Sequence, residues 1–559
     1  MEAYQNRYNE WLASPYFDDQ TKKELSSIRF DSKEIEERFY KNLEFGTGGL
    51  RAIIGAGTNR LNKYTVRRIT QGYANFLLNK YGEEAKEKGI VIAYDTRYLS
   101  DVFSLEIAQT LAFNGIKSYL FKKVTPTPEL SFAIPYLNAI GGIVVTASHN
   151  PSNYNGYKIY DETGCQAGPQ LAKMIINEIN QIVDYSKIGI SYSKDPLIQR
   201  VDESVDTAFI ESEKTLLCFP DLVKNFGEKF KILYTPLHGT GRDAIFRLLK
   251  EVGFKKLYTV TEQLTEDGNF STVESPNPEK QSAFNMSIEV GKENDVDLII
   301  GTDPDCDRVG VLAKVSSGIY KALDGNQLGA LLIYYLLSND KDLSKKKNPY
   351  IAKTIVTSEL GSKIAERFAV ETVNTLTGFK YIGEQINKRK STASFIAGYE
   401  ESYGYLIGTV LRDKDGVGST LMIAEMAAYY ANEGLTLFDV LNSLYEDYGY
   451  YKEKQLSIHL TGQEGIEKMK KLMNRFRDLS EEFKLENDIQ KILDYSIGDC
   501  GLPKSNVIKI FFKDESWIAV RPSGTEPKMK FYMGVIGESE IDSKEKLKKL
   551  EKMIGKVGG

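Results

Sequence analysis

Short apolar runs bounded by glycine, aspartate or proline recur along most of the chain and alternate with amphipathic stretches. Gly89–Tyr94, Ile116–Phe121, Ile140–Thr146, Lys231–Thr235, Asp297–Gly301 and Lys353–Thr357 are rich in Val, Ile and Tyr, and their brevity predicts buried strands. The spacing between them predicts helices, among them Val102–Asn114 and Thr420–Asn432. Such β-then-α alternation predicts α/β units around parallel or mixed sheets. Near residue 450 the pattern changes. Trp517–Val520 and Lys528–Val535 read as strands either side of a polar turn, followed by a helix with Leu547, Leu550 and Ile554 on one face. This tail is expected to form a separate α+β domain. Segments 320–324 and 445–455 lack periodicity and are expected to be linkers, with a further boundary near 205.

Composition narrows the class. With 559 residues, 42% hydrophobic and 27% charged, the chain is globular, and about 100–200 residues per domain allows several domains. The net charge of −5 argues against non-specific nucleic-acid binding and leaves room for a local basic cleft. Cys165, Cys218, Cys306 and Cys500 are far apart, with no CxxC, which suits a reducing cytosol. The polar, acidic N-terminus is not expected to act as a signal peptide. No apolar run approaches the ~20 residues of a membrane span, and Gly329–Leu337 reads as a buried helix. The expectation is a cytoplasmic protein with neither membrane nor nucleic-acid partners.

Four loops carry candidate chemistry. Thr146-Ala147-Ser148-His149-Asn150-Pro151 follows a predicted strand, at the end where α/β sheets place reactive groups. Pro151 breaks regular pairing, so Ser148 is expected to be displayed on a tight turn, with titratable His149 beside it and Lys158 nearby. A polar turn with a capping serine fits the same residues, and a Ser-His pair alone marks no triad. In the second loop, Gly301–Arg308, the residues Asp303, Asp305 and Asp307 alternate after an apolar run. Their carboxylates repel unless a cation neutralises them, and oxygen-only ligation selects Mg²⁺, Ca²⁺ or Mn²⁺ over zinc. Arg308 and Lys314 stand where an EF-hand needs Gly and Glu, so that motif is excluded. Cys306 is expected to be a small packed residue.

The third loop, Gly398–Gly404, pairs Glu400 and Glu401 with Ser402, a set suited to vicinal sugar hydroxyls and equally to a surface turn. In the fourth, Arg521-Pro522-Ser523-Gly524-Thr525-Glu526-Pro527, small residues free backbone N–H groups for an oxyanion and Arg521 adds a bidentate fork. A displayed hydroxyl, a hard-metal site, a polyol reader and a phosphate cradle together point to phosphoryl transfer on a sugar phosphate.

In their motifs and order these loops resemble the α-D-phosphohexomutase superfamily, and within it the phosphoglucomutase branch. FGTGGLR (Phe45–Arg51), YDTR (Tyr94–Arg97), YTPLHGTG (Tyr234–Gly241), TGFK (Thr377–Lys380) and KDG (Lys414–Gly416) extend the likeness over nearly the whole chain. The resemblance implies a heart-shaped enzyme of three related α/β domains and a smaller α+β domain, with limits here of 1–205, 206–322, 323–450 and 451–559. It implies a phosphoserine at Ser148 and one Mg²⁺ held by that group with Asp303, Asp305 and Asp307. Arg308 and Arg51 would steady the moving phosphoryl, with His149 and Lys158 as alternative proton-transfer groups. Glu400 and Ser402 would hold the sugar's O3 and O4, and Arg521, Ser523, Gly524 and Thr525 the phosphate that is not reacting. Thr377, Gly378, Lys380 and Lys414 would complete the substrate site. The implied reaction interconverts glucose 1-phosphate and glucose 6-phosphate through glucose 1,6-bisphosphate, in a monomer or homodimer. His238 is expected to be structural and His459 to lie on a strand surface.

Three other readings fit. A phosphopentomutase acting on ribose or deoxyribose 1-phosphate, or a phosphomannomutase, would use the same loops. A non-catalytic sugar-phosphate binder would have no use for a phosphorylatable serine beside a metal. A serine-dependent phosphatase would pass the phosphoryl group to water.

Overall fold

A strand covered on both faces must be apolar at nearly every position, and Ile90–Tyr94 and Gly141–Val145 are built that way. In the computed structural model, which describes residues 3–46, 49–315, 317–460, 462–498, 501–522 and 528–558, both lie inside a six-stranded sheet. Its order is Gly49–Ile53, Tyr154–Asp161, Gly141–Val145, Ile90–Tyr94, Ser118–Leu120 and Ile198–Arg200. The last four strands run parallel, and the first two are each antiparallel to their neighbours. Alternate residues serve opposite layers. Ile90, Ile92, Ile143, Val145 and Ile159 join one core with helices Lys63–Tyr81 and Ser100–Phe113. Val91, Ala93, Val144 and Tyr160 join another with helix Thr127–Tyr136. Three N-terminal helices, within residues 3–39, close around Tyr8, Trp11, Phe17, Phe39 and Tyr64, with Asp18 and Asp31 capping the second and third.

The chain divides into two compact units, one of Met1–Leu312, Gly383–Lys388 and Gly404–Ala428, the other of Ala313–Ile382, Arg389–Tyr403 and Tyr429–Gly559. The first unit adds a second parallel core in which Lys231–Thr235 lies between Lys256–Tyr258 and Leu298–Thr302. In the second unit Tyr350–Thr354 lies between the parallel strands Glu371–Thr375 and Phe395–Glu400. The expected α+β tail is a five-stranded antiparallel sheet covered by helices Gly462–Arg477 and Glu540–Gly558. Leu547, Leu550 and Ile554 enter that core.

Several expected elements shift. The strand expected at Ile116–Phe121 is only Ser118–Leu120. The one expected at Lys353–Thr357 is Tyr350–Thr354, because the backbone turns where the Thr357 N–H meets the Thr354 carbonyl at 3.1 Å. Both segments expected to be linkers hold regular structure. Residues 320–324 hold the strand Tyr320–Leu323, too short to show a period, and Asp324, which caps helix Gly325–Asn339. Residues 445–455 hold the end of helix Leu437–Tyr448, a turn at Gly449 with φ of 96°, and the start of strand Tyr450–His459. That strand lies at a sheet edge, and His459 is exposed on it as expected. Gly329–Leu337 is within a buried helix as expected. Among the described residues no helix is long and apolar enough to cross a membrane.

Candidate active site

Two short loops at strand ends meet in the first unit. Strand Gly141–Val145 runs into Thr146, whose hydroxyl oxygen accepts the Ser148 N–H at 2.8 Å and tightens the turn. Ser148 takes a left-handed conformation, φ 52°. Strand Leu298–Thr302 runs into the aspartate loop, where Cys306 is also left-handed at φ 55°. Non-glycine residues adopt this conformation at a cost of about 1–2 kcal/mol and need surrounding contacts to hold them there. The aspartate loop has such contacts. Its Pro304, Asp305 and Cys306 carbonyls accept N–H groups from Thr240, Thr127 and Gly416 at 2.9, 2.9 and 3.1 Å. Gly416 must be glycine, since a Cβ there would lie 2.3 Å from the Cys306 oxygen.

Ser148 is not displayed. It is buried at 1% exposure, because its hydroxyl turns inward and donates to Asp303 Oδ2 at 2.6 Å. With that proton committed, Oγ accepts from His149 Nδ1 at 3.1 Å. Burial, and then the charges of Arg308 and Arg51, hold the His149 imidazole well below its ordinary range, so it is neutral. Asp303 Oδ1 accepts the N–H groups of Asp307 and Arg308, each at 3.1 Å.

The three aspartates are fully enclosed, and one ligand oxygen from each lies within 4.8 Å of the others. Lys158 Nζ is 2.7 Å from Asp305 Oδ2 and 3.6 Å from Asp307 Oδ2, and Lys414 Nζ is 3.0 Å from the latter. Burial with the charges of Asp305 and Asp307 pushes the Asp303 carboxyl well up, whereas Lys414 and Lys158 outweigh burial at Asp307 and hold it down. Asp305 Oδ1 and Asp307 Oδ1 are buried without a hydrogen-bond partner. Two enclosed carboxylate oxygens without a hydrogen bond, in an all-oxygen set, fit a hard divalent cation. Cys306 is packed, as expected.

Of the other expected residues, Arg51 donates to Asn150 Oδ1 at 2.7 Å from strand Gly49–Ile53. Arg308 pairs with Glu279 and approaches Asp307 at 3.8 Å. Lys414, expected among the substrate ligands, stands against Asp307 and Asp413. In the second unit the Gly378 N–H donates to buried Glu400 Oε1 at 2.9 Å, Thr377 Oγ1 is buried without a hydrogen-bond partner, and Lys380 is buried. Glu401 Oε2 accepts from Thr354 and Thr357, beside the half-buried Ser402. Arg521 ends strand Trp517–Pro522 above the Tyr532 ring, and Ser523, Gly524 and Thr525 lie outside the described residues. His238 is buried between the Thr265 carbonyl and the Thr272 hydroxyl, a structural residue as expected. The sequence reading missed Arg97, whose guanidinium lies under the Ser148 loop. The motif YDTR marked the place without marking a role.

Family models described as phosphoglucomutase/phosphomannomutase α/β/α domains I, II and III match residues 42–186, 208–316 and 324–448. A phosphoglucomutase of Staphylococcus haemolyticus is 36% identical over 89% of this chain and 91% of its own. Among solved structures, the open form of the Paramecium exocytosis-sensitive phosphoprotein pp63/parafusin, a phosphoglucomutase, superposes with a TM-score of 0.71 at 19% identity, covering 92% of this chain and 94% of that one. A phosphomannomutase-like protein of Thermus thermophilus does so with a TM-score of 0.68 at 23% identity, covering 92% and 99%. With three consecutive domain models matched and a relative so similar over most of both chains, the chain belongs to the phosphoglucomutase/phosphomannomutase family.

Proposed function

We propose that this chain is a cytoplasmic phosphoglucomutase, which interconverts glucose 1-phosphate and glucose 6-phosphate through a phosphorylated Ser148 and glucose 1,6-bisphosphate. The observation that carries the reading is the Ser148 hydroxyl, 2.6 Å from Asp303 inside a buried aspartate triad. A hydroxyl so placed can carry a phosphoryl group beside a cation. The 36% identical relative named phosphoglucomutase supports the choice of reaction, and the three matched segments support domain limits of 1–205, 206–322, 323–450 and 451–559.

Asp303, Asp305 and Asp307, with an oxygen on Ser148, would hold Mg²⁺, which when bound draws charge from the phosphoryl group being transferred. Asp303 orients the serine oxygen, and the neutral His149 steadies it from the other side. Lys158 and Lys414 bring positive charge to the same place, Arg308 and Arg51 brace the phosphoryl oxygens, and Lys158 or His149 handles the proton of the acceptor hydroxyl. Glu400 and Ser402 take the sugar's O3 and O4. Arg521, Ser523, Gly524 and Thr525 take the distal phosphate, and Thr377, Gly378 and Lys380 line its surroundings.

The test is intact mass together with a coupled mutase assay. The wild type should gain one phosphoryl group from glucose 1,6-bisphosphate, and Ser148→Ala should gain none and lose at least about a thousandfold in kcat. Excess chelator should stop turnover and Mg²⁺ restore it. Full activity in Ser148→Ala or in chelator defeats the reading, and a large preference for ribose 1-phosphate over glucose 1-phosphate replaces the hexose by a pentose.

A further inference from the structure

Arg97 lies outside the residues assigned above, yet it is bonded directly to the backbone of the Ser148 loop. Its guanidinium has no exposed surface. Nη2 donates to the carbonyls of Ser148 and Asn150, both at 2.5 Å, and Nη1 to those of Pro151 and Tyr154 at 2.8 and 3.0 Å. Four carbonyls of one loop therefore converge on one planar cation. The cation is held in turn. Asp95 Oδ2 stands 3.4 Å from Nε, and Asp95 Oδ1 accepts both the Arg97 N–H and the Ser100 hydroxyl.

A second element closes over the guanidinium. Phe270, itself left-handed at φ 54° and buried, sets its ring 4.9 Å from the Arg97 Cζ. The segment carrying Phe270 presses on the backbone of 96–98, since a Cβ on Gly268 would come within 2.7 Å of the Tyr98 nitrogen. His238 fastens both ends of that segment. A carbonyl oxygen can only accept, so Nδ1 donates to Thr265 at 2.9 Å, while Nε2 meets the Thr272 hydroxyl at 2.8 Å. His238 thus holds both ends of the segment whose Phe270 ring lies over Arg97, and Arg97 in turn holds the carbonyl of Ser148.

We infer that Arg97 is a positioning residue for phosphoryl transfer, which holds Ser148 in its left-handed turn so that Oγ faces the aspartate triad, and that Phe270 and His238 keep it in place. The inference rests on the reading of Ser148 as phosphoryl carrier. A lysine cannot replace the fork, because one point charge reaches fewer of four carbonyls spread along a plane. The carbonyls it leaves would lose their partners in a buried place, and the turn would relax toward right-handed geometry.

The experiment compares wild type, Arg97→Lys and Phe270→Leu by phosphoryl uptake on Ser148 from glucose 1,6-bisphosphate, read by intact mass per folded molecule, and by kcat and KM separately. Arg97→Lys should slow uptake and kcat about a hundredfold, the cost of moving a reacting atom by about an ångström, with KM changed by less than about threefold. Phe270→Leu keeps the site apolar and removes only the ring face. It should lower kcat about fivefold at unchanged KM, and it keeps the question open to measurement if Arg97→Lys does not fold. Wild-type uptake rates in both variants, or a loss of activity accounted for wholly by the unfolded fraction, overturn the inference. If the wild-type protein itself takes up no phosphoryl group on Ser148, the proposed function fails instead, and the two failures are told apart by that control.

Discussion

Ser148, Cys306 and Tyr403 each sit at positive φ, 52°, 55° and 65°, inside the serine, aspartate and glutamate loops. A glycine would take these conformations without strain, so the side chains at 148 and 306 are kept against a local cost of about 1–2 kcal/mol each. For residue 148 this can be measured. Ser148→Gly and Ser148→Ala should both lack turnover, but Ser148→Gly should unfold at higher temperature, by about 1 kcal/mol in stability, because only it relieves the turn. Equal melting temperatures, or the reverse order, would mean that the turn is unstrained. The sequence made Ser148 and the three aspartates legible, because carboxylates alternating after an apolar run repel one another unless a cation stands between them. It hid the handedness of the turns, since Ser, Cys and Tyr do not advertise left-handed backbone as Gly or Asn does. It also hid Arg97, whose four partners are carbonyls, and these are the same in every residue.

Helix Gly416–Asn432 shows what happens where loop and element join. The apolar pattern placed its start near 420. The true start lies in the KDG motif, where Asp415 Oδ1 accepts the N–H groups of Val417 and Gly418 at 2.9 and 3.0 Å and so acts as the cap. Asp415 shares a buried site with Glu213, and burial pushes both carboxyls up, Asp415 to about 6 and Glu213 well above its ordinary value. Folded pKa values above unfolded ones mean that the pair's contribution is complete below about pH 4 and is lost as pH rises through 6. Glu213→Gln supplies a permanent N–H donor in place of the acid proton. It should melt within a degree or two of wild type at pH 4.5 and several degrees higher at pH 8. A variant less stable at pH 8 would show that the pair is held by something other than a shared proton. The strands within 320–324 and 445–455 escape the sequence for an element-scale reason too. An edge strand and a four-residue strand carry no period to read.

At the scale of the whole chain, the second unit fastens its parallel sheet to its antiparallel one with charge as well as with apolar packing. Lys509 reaches the Ile355 carbonyl at 2.7 Å and Glu359 at 3.2 Å, and Lys353 reaches Glu359 at 3.0 Å, beside a core containing Ile355, Val356, Trp517 and Tyr532. Burial lowers Lys509 to about 8, and the two lysines overcome burial to hold Glu359 at about 2. Glu359 therefore stabilises the fold above about pH 4.5 and ceases to as pH falls toward 2. Glu359→Gln leaves two enclosed cations without their counter-charge and should cost about 2 kcal/mol at pH 7, toward the low side for a broken buried pair because 29% of the carboxylate side chain reaches water. The loss should shrink at pH 10, where Lys509 is neutral, and a loss equal at both pH values would exclude charge as its cause. The α/β order and the α+β tail were legible in the sequence, because layers of buried strands need continuous apolar runs. This fastening was not, since a lysine in a strand reads as solvent-facing until its partner across the sheets is known.

The enclosed acids also change how the molecule exchanges heat with its surroundings. Glu129, like Glu213, is enclosed and pushed well above its ordinary value by burial, while the formal charge of −5 treats both as ionised. A raised folded value means that the folded chain holds more hydrogen than the unfolded one, so melting should set hydrogen ions free into the buffer. The calorimetric enthalpy would then differ between phosphate and Tris in the direction of those buffers' own ionisation heats, and native isoelectric focusing would band the folded protein above its urea-denatured form.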